Sequence, residues 1–293
     1  MIELLAITAA FMYSASDVMV KRGLQGSNVI TATMVSQLVS AVIFLLLFLF
    51  FVPVDFLRSR SILLFMAAGI LAPGLFRFLY YSGFNRLGVT IVSPIANSYS
   101  LIAILIAILL LHEKLTLHLA LSALGILSGA ILLTRAVAPG ESGMKLRNFR
   151  RTDLIFPLGA MVVRGLSEVL RKSGLLALNS PVLGAMVANV TGFLFSLALM
   201  AFSGKLGGTL VLNRRSLLYF LGSGFFVVAA WTLAFYALSS GALVRVTPLL
   251  TTTPLFTLLL SYFVLRGIER VTAKMVLGTA FIVGGIMFAT LAS

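Results

Sequence analysis

Apolar runs of about 20 residues, the length that crosses a bilayer as a helix, follow one another along almost the whole chain. They lie near residues 2–22, 30–52, 61–84, 89–111 and 117–135, and again near 153–175, 181–203, 215–239, 244–266 and 272–292. Backbone in hydrocarbon has no water to bond, so each run must satisfy its own peptide groups. The runs are too long for barrel strands and lack period-2 alternation, so they read as helices. The expected fold class is an all-α integral membrane protein with ten transmembrane helices. Composition leaves no room for a soluble domain: 60% of the 293 residues are apolar and 10% charged, with a mean hydropathy of +1.12. The first run starts at Ile2 with only Glu3 as a flanking charge. It lacks the basic n-region of a signal peptide and is expected to be a mature span.

A net charge of +14 invites a nucleic-acid reading. The basic residues, however, stand singly or in pairs at the ends of apolar runs, as membrane anchors do, and no nucleic-acid partner is expected. There is no Cys, and His112 and His118 are the only histidines. Thiolate and His-rich metal sites are therefore not expected. No phosphate-cradling Gly loop is present, which argues against ATP as an energy source. The chain reads as a non-enzyme with no cofactor.

The two halves repeat. Residues 16 to 24 run Ser-Asp-Val-Met-Val-Lys-Arg-Gly-Leu, and residues 167 to 175 run Ser-Glu-Val-Leu-Arg-Lys-Ser-Gly-Leu. Further on, Ser93-Pro94 answers Thr247-Pro248, Glu113-Lys114-Leu115-Thr116 answers Glu269-Arg270-Val271-Thr272, and Ile126 and Gly129 answer Ile282 and Gly285. The order is kept. An odd number of spans per copy turns the second copy upside down, giving two inverted five-helix repeats, 1–136 and 153–293, joined by a polar linker at 137–152. Inverted repeats of this kind build secondary transporters.

These ordered motifs resemble the EamA-type branch of the drug/metabolite transporter superfamily. The resemblance implies a ten-helix fold, both termini in the cytosol and export of an amino acid or related metabolite. Two features depart from the pattern. His112 and Ile268 stand before the glutamates where the family usually has Gly, and Asp17 occupies an expected apolar place in the first span. Orientation is contested as well. Loops after odd-numbered spans carry most of the Lys and Arg, including Lys145, Arg147, Arg150 and Arg151 of the linker. The positive-inside rule therefore puts both termini outside.

Asp17, Arg77, Arg164 and Glu168 lie inside spans, where each costs about 2.5–3.5 kcal/mol at the bilayer centre unless it pairs or meets water. Two carboxylates balance two guanidiniums, which predicts mutual pairing around one cavity. Tyr13, Asp17 and Lys21 recur at i, i+4, i+8, as do Arg164, Glu168 and Lys172, so each set shares a helix face. On this reading Asp17 and Glu168 offer charge to a substrate amine or carry a coupling proton, Ser16 lies beside them, and Arg164 grips an anionic group. The competing structural reading makes Asp17–Lys21 and Glu168–Lys172 ordinary i, i+4 pairs.

Arg77 and Tyr81 of the third span, with Trp231 and Tyr236 of the eighth, are candidates for an amphipathic wall around a small solute, whereas Tyr80 reads as packing. Asn97 and Thr251 follow Pro94 and Pro248, where a kink frees carbonyls and polar side chains face a cavity or back-bond to their own helix. Gln37 and Asn189 read as interhelical hydrogen bonds. Gly125, Gly129, Gly278, Gly284 and Gly285 read as close-packing points within the bundle.

Together these features predict a secondary active exporter of a small organic metabolite, working by alternating access with protons as the candidate coupling ion. Its partners are a small-molecule substrate and the lipid bilayer, its setting a prokaryotic plasma membrane, its state a monomer or weak dimer. The alternatives are a facilitator or flippase for an organic anion or lipid, and a membrane scaffold that transports nothing.

Overall fold

The computed structural model describes residues 2–51, 59, 61–99, 102, 121, 124–126, 128–129, 131–133, 151–202, 210–240, 249–266, 268 and 271–291. His112, His118, Glu113, Thr247, Pro248, Glu269 and most of the linker lie outside them.

The described residues are helical, with no strand among them. The elements are α1 (Ile2–Gly23), α2 (Val29–Phe51), α3 (Ser61–Gly69), a π-helical turn (Ile70–Leu75), α4 (Phe76–Leu87), α5 (Val89–Asn97), α6 (Ile155–Ala177), α7 (Pro181–Phe202), α8 (Arg214–Ser240), α9 (Thr253–Val264) and α10 (Ala273–Leu291). Five stretches are long and apolar enough to cross a membrane: Glu3–Gly23, Val29–Phe51, Ser61–Leu87, Pro181–Phe202 and Arg214–Ala237. At 23 residues α6 is as long as any of them but α8 and the Ser61–Leu87 stretch. Its apolar character is diluted by Arg164, Glu168, Arg171 and Lys172.

Local chemistry sets the ends. Asn28 caps α2, its Oδ1 accepting from the Thr31 amide at 2.8 Å, and Asn213 caps α8 by accepting from the Arg215 amide at 3.0 Å. Glu3 in the first turn of α1 and Lys21 and Arg22 in its last suit the helix dipole. Gly88, at φ 88°, is the single residue between α4 and α5, a conformation that L side chains rarely adopt.

The third span is not one helix. Pro73 sits in the π-helical turn, and Ala72 leaves helical geometry at φ −141°, ψ 120°. The carbonyls this releases are bonded by neighbours: Ser167 of α6 donates to Ala68 O at 2.9 Å, and Gln37 of α2 donates to Pro73 O at 2.8 Å. Broken backbone at membrane depth is tolerable because protein groups take the place of water. The fourth span also departs from a single run. Pro94 lies inside α5, which stops at Asn97 before a turn at Ser98 and Tyr99. A turn at Thr251 and Thr252 likewise precedes α9.

Packing uses backbone-close contacts, as membrane bundles must when hydrocarbon itself supplies no drive for helices to associate. A Cβ at Gly69 of α3 would lie 2.3 Å from Ala188 O of α7. One at Gly129 would lie 2.5 Å from Gly278 O of α10, and one at Gly125 would lie 3.3 Å from Gly285 Cα. Of the glycines expected to pack within the bundle, Gly125, Gly129 and Gly278 do so. Gly284 is the exception, with nothing among the described residues within 4 Å of its would-be Cβ. The most extensive contact is between α1 and α8, while α2 packs on α7 and α8, and α6 on α3, α4 and α5.

Candidate functional site

Inside the bundle, α1, the α3–α4 break, α6 and α8 surround a cavity closed by residues from the end of α5 and the start of α9. Its walls carry Tyr13, Ser16 and Asp17 from α1, Arg77, Tyr80 and Tyr81 from α4, and Arg164, Ser167, Glu168 and Arg171 from α6, with Asn97, Trp231 and Thr253. The cavity volume is about 60 Å³, several times the ~10–15 Å³ that one water needs. It falls short of the ~300–1,000 Å³ usual for ligand pockets, so a bound organic solute requires side chains or helices to move.

Equivalent positions of the repeated sequence meet here: Tyr13 and Arg164, Ser16 and Ser167, Asp17 and Glu168 all line the same cavity. Asp17 is buried and accepts a hydrogen bond from the Tyr80 hydroxyl at 2.7 Å. Ser16 shares a hydrogen bond with Ser223 of α8 at 2.9 Å. Arg164 donates to Asn97 Oδ1 at 3.1 Å, and its guanidinium lies 4.6 Å from the ring centre of Tyr99, 5.5 Å from Phe76 and 5.7 Å from Tyr13. Aromatic faces stabilise the cation without neutralising it, so donor capacity is left for an anion. Arg77 donates to Ser36 and Ser40 of α2 at 3.2 and 3.4 Å.

Arg171 is a cavity residue that the sequence analysis did not single out. It lies within α6, pairs with Glu168 one turn back, and sits 4.8 Å from the Trp231 ring centre and 5.5 Å from that of Phe235. Its spacing from Arg164 and Glu168, i+7 and i+3, is the signal that finds it. With Arg171 counted, the described residues lining the cavity hold three guanidiniums to two carboxylates, and among them the expected charge balance gives way to a positive excess.

The i, i+4 pairings also give way. Glu168 bonds Arg171 rather than Lys172, which is exposed. The Lys21 ammonium donates to Phe84 O at 2.5 Å, while Asp17 takes the Tyr80 hydroxyl. Tyr80, expected to be packing, is therefore a polar partner in the cavity. Two candidate ligands lie elsewhere. Tyr236 is 51% exposed and borders an apolar groove between α2, α7 and α8. Thr251 is buried but is not among the residues lining the cavity, which include Thr253 two positions on. Several hydroxyls simply back-bond: Ser98 donates to Pro94 O at 2.9 Å, and Thr252 to Leu249 O at 2.6 Å. Asn189 likewise donates within its own helix, to Ala185 O at 2.9 Å, rather than across helices.

Apolar helices around a charged hollow define a multi-pass membrane protein with a polar site between its helices. The sequence matches the model of the EamA-like transporter family over residues 1–135 and again over 152–291, and the chain belongs to that family of membrane transporters. One solved structure, described only as "Crystal structure of protein", is similar in fold at a TM-score of 0.66 and 18% identity, covering 99% of this chain and 96% of that one. No curated protein matches in sequence.

Proposed function

We propose that this transporter is a secondary active exporter of a small organic metabolite carrying a carboxylate, amino acids being the leading class. It works by alternating access between two inverted five-helix halves. The observation that carries the reading is the cavity itself, walled by equivalent positions of α1 and α6 with guanidinium in excess of carboxylate among the described residues. Arg164 is positioned to bind the solute's anionic group: it has unspent donors, three aromatic rings around it and a neutral amide, Asn97, as hydrogen-bond partner. Glu168 is occupied by Arg171. Asp17 is therefore the carboxylate left to meet a substrate ammonium or to carry a coupling proton.

The breaks near Pro73, Ser98 and Thr251 support movement at the site, since discontinuous helices let one half rock while polar side chains hold the loosened backbone. Counterflow of labelled solutes in proteoliposomes tests the reading. Carboxylated solutes are expected to exchange, and Arg164→Gln is expected to abolish exchange with the protein still folded. Exchange restricted to cationic solutes, or undiminished in Arg164→Gln, would overturn it. Proton coupling has its own test: if Asp17→Asn keeps the wild-type pH dependence of exchange, Asp17 is not the proton carrier.

A further inference from the structure

At the end of the bundle where α1 finishes, α8 begins and α9 finishes, a second pocket of about 470 Å³ is lined by Arg22, Gly26, Arg215, Ser216, Tyr219 and Arg266 among others. We infer that this pocket binds the headgroup of an anionic phospholipid, held by Arg22, Arg215 and Arg266 with its acyl chains lying on the outer faces of α8 and α9.

The chemistry is that of a phosphate site. Three guanidiniums, from the end of α1, the start of α8 and the segment just past α9, border one hollow, and none of the described residues lining it is acidic. Arg22, Arg215 and the phenol of Tyr219 line the same pocket. Arg22 also donates to Val264 O at 2.9 Å and Arg266 to Tyr262 O at 3.0 Å. These bonds use few of the five N–H donors on each guanidinium, and the remainder suit phosphate oxygens. The floor depends on Gly26, where a Cβ would come within 2.9 Å of Ser216 Oγ and 3.1 Å of Asn213 Nδ2.

The setting selects a lipid over a free anion. Tyr262 and Phe263 are 53% and 59% exposed beside Arg266, and Leu218 of α8 is 62% exposed. Aromatic side chains at the end of an apolar helix mark the membrane–water interface, and the apolar faces beyond them meet acyl chains. A basic pocket between helices at that level recognises anionic headgroups. The solute cavity is lined by a different set of residues, so this site is independent of the transport reading.

The test uses the full-length protein purified in a neutral detergent, with thermal melts titrated against phosphatidylglycerol, phosphatidylcholine and inorganic phosphate. Phosphatidylglycerol is expected to raise the melting temperature at concentrations where phosphatidylcholine does not. Arg215→Gln and Arg266→Gln, both at exposed positions, are each expected to weaken the phosphatidylglycerol midpoint about fivefold. Native mass spectrometry of the wild type provides a readout free of folding effects, and is expected to show retained phosphatidylglycerol in preference to phosphatidylcholine. Equal effects of the two lipids, a midpoint unchanged in both variants, or inorganic phosphate matching phosphatidylglycerol would each overturn the proposal.

Discussion

At the scale of single residues, the cavity separates charges that are already spent from charges that are free to act. Arg77 is held by two serines, and Glu168 by Arg171. Among the described residues Arg164 meets Asn97 and ring faces, so its substitution is expected to bear on the solute more than on the bundle. Arg164→Lys keeps the charge but loses the planar fork, and solute affinity is expected to fall at least tenfold, read by titration calorimetry. Asp17 and Tyr80 make the complementary case, a buried carboxylate with a phenolic donor at 2.7 Å. Tyr80→Phe strips that donor, and the expected cost is about 1–3 kcal/mol, much of it gone in an Asp17→Asn background. Thermal melts of the two single variants and the double variant measure that coupling.

Between elements, the close approaches of glycine backbones do the work that hydrophobic burial does in water. Phe65 is fully buried in α3, and Cβ atoms at Gly174 of α6 and Gly184 of α7 would come within 2.6 and 2.8 Å of its ring. The ring therefore fills a slot shaped by both glycines. Phe65→Ala is expected to destabilise the protein by about 3–5 kcal/mol, measured by denaturation in detergent. Gly129 and Gly284 make a paired comparison. A methyl at Gly129 meets Gly278 backbone, so Gly129→Ala forces the helices apart. One at Gly284 meets nothing among the described residues, and Gly284→Ala is expected to be neutral or to stabilise by up to about 1 kcal/mol. A lower melting temperature for Gly284→Ala than for Gly129→Ala would contradict this packing.

For the whole molecule, the question is whether the halves move past one another. Ser93 of α5 and Thr257 of α9, one from each half, bring their hydroxyl oxygens to 3.4 Å. The chain has no native Cys, so a Ser93→Cys, Thr257→Cys pair reports without background. Oxidation is expected to stop solute exchange and a reductant to restore it. Full exchange in the cross-linked protein would rule out relative motion at this contact.

Hydropathy alone located most of the helices, because a chain in lipid must bond its backbone internally wherever apolar side chains run for about 20 residues. Observed helices such as α2, α7 and α10 end within a residue or two of the apolar runs. Spacing placed Tyr13 with Asp17 and Arg164 with Glu168 on common faces, since helical period is a local property. Partner choice was not local. Whether Glu168 met Lys172 or Arg171, whether Asp17 met Lys21 or Tyr80, and whether Tyr236 faced a cavity or an outer groove depended on which helices lay alongside. Those neighbours are fixed by where backbones approach at glycines and where Pro73 breaks the third span, and so only the tertiary structure decided them.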